Sequence, residues 1–163
     1  MKLIICILVI FGCASAQLKN ITAEAILKYH NDFRSSIAKG TYSTIKGLLP
    51  AASNMRKMKW DQGLATTIQD FLNGCPITKF PTHFGQNGYT KLPMLSNISD
   101  AEALDAAKSW EIELFYFGLS SIQFNKATLT KTATQMAWAD TEFIGVVRRS
   151  VKALVGRVCS SFE

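Results

Sequence analysis

The sequence predicts an α/β fold of the α+β kind, a three-layer α-β-α sandwich around a small antiparallel sheet. Helical patterns come first along the chain, and two β-rich runs come late, at 143–147 and 151–159. Both runs are almost continuously apolar, which is typical of strands covered on both faces. With 163 residues the chain is long enough for one domain with a full core.

The first helix is expected from Thr22 to about Lys39. Its inward side repeats at helical spacing: Ile26, His30, Phe33 and Ile37. Gly40 is expected to end it, because glycine favours the backbone conformation that follows a helix.

Asp61 is expected to cap the second helix, since its carboxylate can accept a hydrogen bond from the first turn. One face of this helix carries Leu64, Ile68, Phe71, Leu72 and Cys75. Pro76 cannot continue the helix because it has no N–H. Residues 76–98 then have the prolines and glycines of a loop, with a short extended piece near 84–89.

The third helix is expected to begin at a capping box, Ser99 to Glu102, and to end at Gly118. Its apolar stripe consists of Ala103, Ala107, Trp110, Leu114 and Phe117. A short helix is expected at 132–138. The runs Phe143–Val147 and Val151–Cys159, separated by a polar turn, predict an antiparallel hairpin.

The first sixteen residues have the pattern of a secretory signal peptide. Lys2 precedes the apolar run Leu3–Phe11, which is too short to span a bilayer. The small residues Ala14–Ala16 form a cleavage site, so the mature domain is expected to begin at Gln17 and to be secreted. An uncleaved membrane anchor is the alternative.

Secretion leaves two cysteines in the mature chain, Cys75 and Cys159. In an oxidising compartment they are expected to form one disulfide, worth about 4–5 kcal/mol of loop-closure entropy. Two buried thiols are the alternative. The sequons at Asn20 and Asn97 are predicted N-glycosylation sites.

The basic residues give a net charge of +6 and are scattered along the chain. No long basic run with interleaved aromatic residues occurs, which excludes nucleic acid as the expected partner. Weak attraction to acidic glycans or lipid surfaces stays open.

Six groups of residues recur in the order and spacing of a known family. They are His30-Asn31 with Arg34; Met55, Met58 and Trp60-Asp61 with Leu64-Ala65; Gly85-Gln86-Asn87; Trp110 with Glu113; Thr134 to Trp138; and Ile144-Gly145. This set resembles the CAP superfamily (SCP/TAPS), which includes cysteine-rich secretory, antigen 5 and pathogenesis-related 1 proteins. It is most similar to divergent nematode secreted members, over about residues 21–159, and the resemblance implies the same α-β-α sandwich.

The resemblance also implies a cleft in which two histidines and two glutamates meet, where some relatives bind a divalent metal. Here Gln86 replaces one glutamate, Thr132 replaces one histidine, and Lys79 falls near the place of the other. Glu113 is retained, and His83 is a further candidate because it lies near Lys79. Neither an amide nor a hydroxyl replaces these ligands. We therefore expect a degenerate cleft with no metal, no cofactor and no catalytic residue.

Other departures are smaller. Ile144 to Val147 stand where relatives have Ile-Gly-Cys-Gly, and the segment after Cys159 is expected to be shortened. Structural roles are predicted for a larger set: His30, Asn31 and Arg34 as buried polar supports, and Met55, Met58, Trp60, Met136 and Trp138 as core.

Three functional classes follow. A secreted, non-enzymatic interaction or effector scaffold with an extracellular protein partner is favoured, since the core pattern is kept and the cleft pattern is not. A carrier of lipid or sterol is the alternative, with apolar loop residues lining a groove. A hydrolase is disfavoured, because the sequence has no Gly-x-Ser-x-Gly elbow. The mature chain also has only two histidines that could serve as the base of a nucleophile.

Overall fold

The computed structural model describes residues 20–74, 84–89, 100–119 and 131–147. In chain order the elements are α1 (Asn20–Ala38), β1 (Ser43–Thr44), β2 (Gly47–Leu48), β3 (Lys59–Trp60), α2 (Gln62–Asn73), α3 (Asp100–Phe117), α4 (Lys131–Met136) and β4 (Phe143–Ile144). Several predictions lie outside the described residues: the signal peptide, Cys75, Lys79, His83, Asn97, the run 151–159, Cys159 and the side chain of Asn20. None of the helices in the described ranges combines the length and the apolar composition that crossing a bilayer requires.

The main core lies where α1, α3 and α4 meet. Its buried apolar residues are Phe33, Ile37, Tyr42, Leu49, Ala106, Ala107, Trp110, Leu114, Ala133 and Met136. The four residues predicted for the inner side of α1 are all buried. Gly40 follows α1 with a φ of 67°, the left-handed conformation that lets glycine end a helix.

The second helix begins as the capping pattern predicts. The Asp61 carboxylate accepts a hydrogen bond from the Leu64 N–H at 3.0 Å. Ala65 and Leu72 are buried and form a second cluster with Val147. This cluster holds α2 against the chain that follows β4.

Two small sheets are present in the described ranges. β1 and β2 pair antiparallel, with Ser43 opposite Leu48. β3 and β4 pair parallel, with Lys59 opposite Phe143. The run predicted as a strand over 143–147 is therefore a strand over Phe143–Ile144, followed by buried Val146 and Val147.

Two residues predicted as core are exposed. Phe117 is 46% exposed, because it is the last residue of α3 and the chain turns at Gly118, whose φ is 62°. Trp138 is 48% exposed. Its backbone carbonyl, rather than its ring, faces the interior and accepts a hydrogen bond from Arg34.

Gly145 lies against the start of α2, and we expect its replacement by alanine to destabilise the fold by about 1–3 kcal/mol. A Cβ there would lie 2.6 Å from the Ala65 nitrogen and 2.7 Å from the Leu64 Cβ, so helix backbone would have to move. Urea unfolding measures the loss. Gly63→Ala is the control, because Gly63 lies inside α2 and faces only the Asp61 carboxylate at 3.1 Å. Equal losses in the two variants would contradict the explanation.

Candidate functional site

The candidate cleft lies between residues 84–89, α3 and the start of α4, and Thr132 connects all three. Its N–H donates to Glu113 Oε2 at 3.0 Å, and its hydroxyl donates to the Trp110 carbonyl at 3.3 Å. Its own carbonyl accepts from Asn87 Nδ2 at 2.8 Å. The Trp110 indole N–H donates to the Gly88 carbonyl at 3.0 Å. The residue that stands at a family histidine position is thus a structural link.

The segment 84–89 is also held by a close approach. A Cβ on Gly85 would lie 1.9 Å from Gln135 Nε2, so the Gln135 carboxamide lies directly against the Gly85 backbone. Gln86 follows and is half-buried at the same edge. Thr132 is therefore joined to Glu113 and to Asn87, the residue after Gln86.

Sequence reasoning missed two contributors to this cleft. Asn87 belongs to the recognised triplet, but the hydrogen bond from its side-chain amide to the Thr132 carbonyl was not predicted. Gln135 was placed only as part of a family segment, and its contact with Gly85 was not foreseen. The signal available in the sequence was the Gly-Gln-Asn triplet, which belongs to the pattern that resembles the family.

The donor set of the described cleft does not fit a zinc-like ion. It comprises one carboxylate, one hydroxyl and amide groups, whereas zinc sites use three or four imidazole, thiolate or carboxylate ligands. Within the described ranges, no group of three or more His, Cys, Asp or Glu is placed to hold a metal. One oxygen of the Glu113 carboxylate is already bonded to a backbone N–H.

Arg34 is a buried residue, 1% exposed, whose side chain bonds to the end of α4. Within the described ranges it donates only to backbone carbonyls. Nε and Nη2 reach the Arg56 carbonyl at 2.9 and 2.6 Å, and Nη1 reaches those of Met136 and Trp138 at 2.9 and 2.7 Å. Nη2 also reaches the carbonyls of Ala139 and Thr141 at 3.1 and 3.3 Å. One side chain therefore fixes the end of α4 and the turn after it.

Residues 27–159 match the model of the family described as CAP, the cysteine-rich secretory protein family. The chain belongs to the CAP family. Venom allergen 5 of Vespula vidua is 34% identical over 133 residues, which cover 75% of this chain and 62% of that protein. The Ancylostoma secreted protein of Ancylostoma caninum is 35% identical over 66 residues, 40% of this chain and 16% of that protein. The chain therefore spans less than two thirds of the length of these relatives.

Solved structures show the same fold. The crystal structure of NaASP2 with Zn2+ superposes with a TM-score of 0.72 at 21% identity, over 93% of this chain and 82% of that chain. The hookworm platelet inhibitor superposes with a TM-score of 0.62 at 22% identity, over 90% of this chain and 67% of that chain. The predicted α+β architecture of the CAP type is confirmed.

Glu111, two residues before Glu113 on α3, is engaged on the other side of this CAP domain. The Tyr29 hydroxyl donates to its carboxylate, and the Tyr42 phenol lies close enough to feel the same negative charge. Burial, together with this carboxylate, raises the pKa of both phenols well above the ordinary value. The two phenols therefore stay protonated, and Tyr29 joins α1 to α3.

His30 lies beneath the cleft of the CAP domain, with its ring edge-on to Trp110 at 6.3 Å between centroids. Its Nδ1 lies 2.9 Å from the Ile26 carbonyl, so Nδ1 carries the proton of a neutral ring. Burial lowers the pKa of His30, and the positive charge of Arg34 lowers it further, against the bond to Ile26. His30 is a buried neutral support.

We expect stability to decrease as the pH falls below about 6.5, the ordinary histidine pKa. The folded state resists protonation of His30, whereas the unfolded state takes up the proton, so its contribution is present above that pH and lost below it. Urea unfolding at several pH values measures the slope. His30→Gln is expected to reduce the slope, and His83→Gln is the control that should keep it. A slope that disappeared with His83 instead would contradict this assignment.

Proposed function

We propose that this CAP protein is secreted and non-enzymatic and acts as an extracellular interaction or effector scaffold. The proposal is supported by one main observation: the polar groups of the cleft are hydrogen-bonded to one another. The N–H, hydroxyl and carbonyl of Thr132 are all used to join α3, α4 and the segment 84–89. Residues that could recognise a metal or substrate serve instead to hold the scaffold together.

Catalysis has little support from the described side chains. His30, which a nucleophile would need as a base, is buried, neutral and bonded to the Ile26 carbonyl. Glu113 holds the Thr132 N–H. His30 presents no free base to the cleft, and one oxygen of Glu113 is already engaged, which favours a binding role for the protein surface.

Metal binding is disfavoured by the substitutions at Gln86 and Thr132. A relative of the same fold was crystallised with zinc. In this chain the two positions carry an amide and a hydroxyl that zinc does not favour. We infer that the cleft has lost this chemistry while the fold around it is kept.

Native mass spectrometry of protein secreted from a eukaryotic host, without reduction, tests the proposal. The expected spectrum shows the chain beginning at Gln17, with glycans and no retained metal or lipid. A stoichiometric lipid would support the carrier alternative instead. A stoichiometric metal would overturn the account of the cleft.

A zinc titration by calorimetry extends this test. The unmodified protein is expected to bind no zinc at the cleft, and the double variant Gln86→Glu with Thr132→His is expected to gain binding. Adding Glu113→Gln to that double variant is the control, and it should remove the gain. Zinc binding by the unmodified protein that Glu113→Gln abolishes would contradict the proposal.

A further inference from the structure

The helix α3 is apolar on two opposite sides. Its inner side packs Ala107, Trp110 and Leu114 into the core. Its outer side carries other large apolar residues, Ile112, Phe115 and Tyr116, which are 38–54% exposed. An exposed patch of large apolar side chains is typical of a surface that binds a membrane or another protein.

The outer side continues onto the turn between β1 and β2. The Ile45 N–H donates to the Phe115 carbonyl at 3.0 Å, and the side chain of Ile45 is 62% exposed. The rings of Phe115 and Tyr116 pack edge to face at 5.2 Å. We call this set the outer α3 surface: Ile45, Ile112, Phe115 and Tyr116.

The exposed charges around the outer α3 surface are positive. Among the described side chains of α3 and the β1–β2 hairpin, the exposed charged ones are Lys46 and Lys108. Lys46 Nζ lies beside the surface and donates to the Phe117 carbonyl at 2.7 Å. Lys108 lies one helical turn before Ile112, on the same side of α3. Of the acidic residues of α3 with a described side chain, Glu111 and Glu113 are bonded to other parts of the fold, and Asp105, two helical turns before Ile112, is half-buried.

We propose that the outer α3 surface docks onto the anionic face of a lipid bilayer. Aromatic and aliphatic side chains enter the headgroup region, where phenol and phenyl rings are favoured, and the flanking lysines meet lipid phosphates. The net charge of +6 attracts the whole molecule to such a membrane. This docking goes beyond the scaffold role and does not depend on the cleft.

The same charges argue against a second copy of the chain as the occupant. A two-fold contact through the outer α3 surface would place Lys46 and Lys108 near their own copies, between molecules that each carry +6. Like charges across an interface disfavour association. An anionic membrane supplies both the apolar region and the opposite charge.

Sedimentation with lipid vesicles tests the proposal on the full mature protein. Vesicles of about one part phosphatidylserine to two parts phosphatidylcholine are compared with vesicles of phosphatidylcholine alone. The protein is expected to bind the anionic vesicles at least about fivefold more tightly, and to be released as salt rises from about 0.15 to 0.5 M. Lys108→Gln is expected to weaken binding up to about fivefold.

The apolar part is tested with the double variant Phe115→Ser and Tyr116→Ser, expected to lower vesicle affinity by tenfold or more. Phe143→Ser is the control, since it removes a phenylalanine of β4 that is 49% exposed and lies away from the outer α3 surface. Circular dichroism confirms that each variant is folded. Equal binding to both vesicle types, or equal binding by the double variant, would overturn the proposal. So would a dimer, seen by ultracentrifugation, that the double variant dissolves.

Discussion

Replacing Arg34 with methionine is expected to lower the free energy of unfolding by about 3–5 kcal/mol. Methionine fills part of the space but donates no hydrogen bond. The Arg56 and Met136 carbonyls would lose their Arg34 donors, whereas the Trp138 and Ala139 carbonyls keep the Thr141 and Arg56 N–H groups as donors. Each buried carbonyl left without a donor costs about 1–3 kcal/mol, and local relaxation recovers part of the sum.

Arg34→Lys is expected to lose almost as much, which separates the role of geometry from that of charge. A lysine ammonium has three donors at one point, whereas the guanidinium spreads five over a plane. The carbonyls that Arg34 joins lie around the edge of that plane, before β3 and after α4. A lysine in this place would therefore leave the Arg56 or the Met136 carbonyl without a donor.

Urea unfolding followed by tryptophan fluorescence measures both variants, and Arg56→Met is the matched control. The Arg56 side chain is exposed and pairs with Glu142 at 2.6 Å, so its removal is expected to cost about 0–1 kcal/mol. The Arg56 backbone carbonyl that Arg34 needs stays in place. A loss below about 1 kcal/mol for Arg34→Met would show that the guanidinium contributes little.

Local patterns in the sequence were sufficient for the helices. The spacing of Ile26, His30, Phe33 and Ile37 fixes which side of α1 is buried, because a helix repeats every 3.6 residues. The Asp61 cap depends on atoms three residues apart. Such features require no knowledge of distant parts of the chain.

The parallel pair of β3 and β4 could not be predicted in the same way. Each strand has two residues, too few for a periodic signal, and they are separated by more than eighty residues of sequence. Their register depends on bonds on either side, from the Lys59 N–H to the Glu142 carbonyl and from the Asp61 N–H to the Ile144 carbonyl.

The candidate cleft was predicted by resemblance and not by physical pattern. The resemblance placed Gln86, Glu113 and Thr132 together, and in the structure Thr132 bonds to Glu113 and to Asn87, next to Gln86. It did not reveal that Glu113 binds the Thr132 backbone, because that bond depends on how α4 meets α3. Arg34 was predicted as a buried support, yet its carbonyl partners lie 22 to 107 residues away in the chain.

Replacing Trp110 with alanine is expected to lower the free energy of unfolding by about 3–5 kcal/mol. Trp110 is buried at the meeting point of α1, α3 and α4, so its loss leaves a large cavity in the main core. The variant also removes the indole bond to the Gly88 carbonyl. Urea unfolding measures the total, and Ile112→Ala is the control, because Ile112 is exposed on the opposite side of α3.

Trp110→Phe separates packing from the hydrogen bond that reaches the cleft. Phenylalanine keeps most of the apolar contact, so the expected cost falls to about 1–2 kcal/mol, with the indole N–H bond contributing about 1 kcal/mol. The segment 84–89 should then exchange its amide hydrogens faster, while the inner residues of α3 keep their protection, because the lost bond ties only Gly88 to the helix. Unchanged exchange in 84–89 would mean that Asn87 and the Gly85–Gln135 contact are enough to hold this side of the cleft. Faster exchange throughout α3 would mean instead that phenylalanine packs poorly, and the cleft would then depend on the tryptophan for its volume rather than for its hydrogen bond.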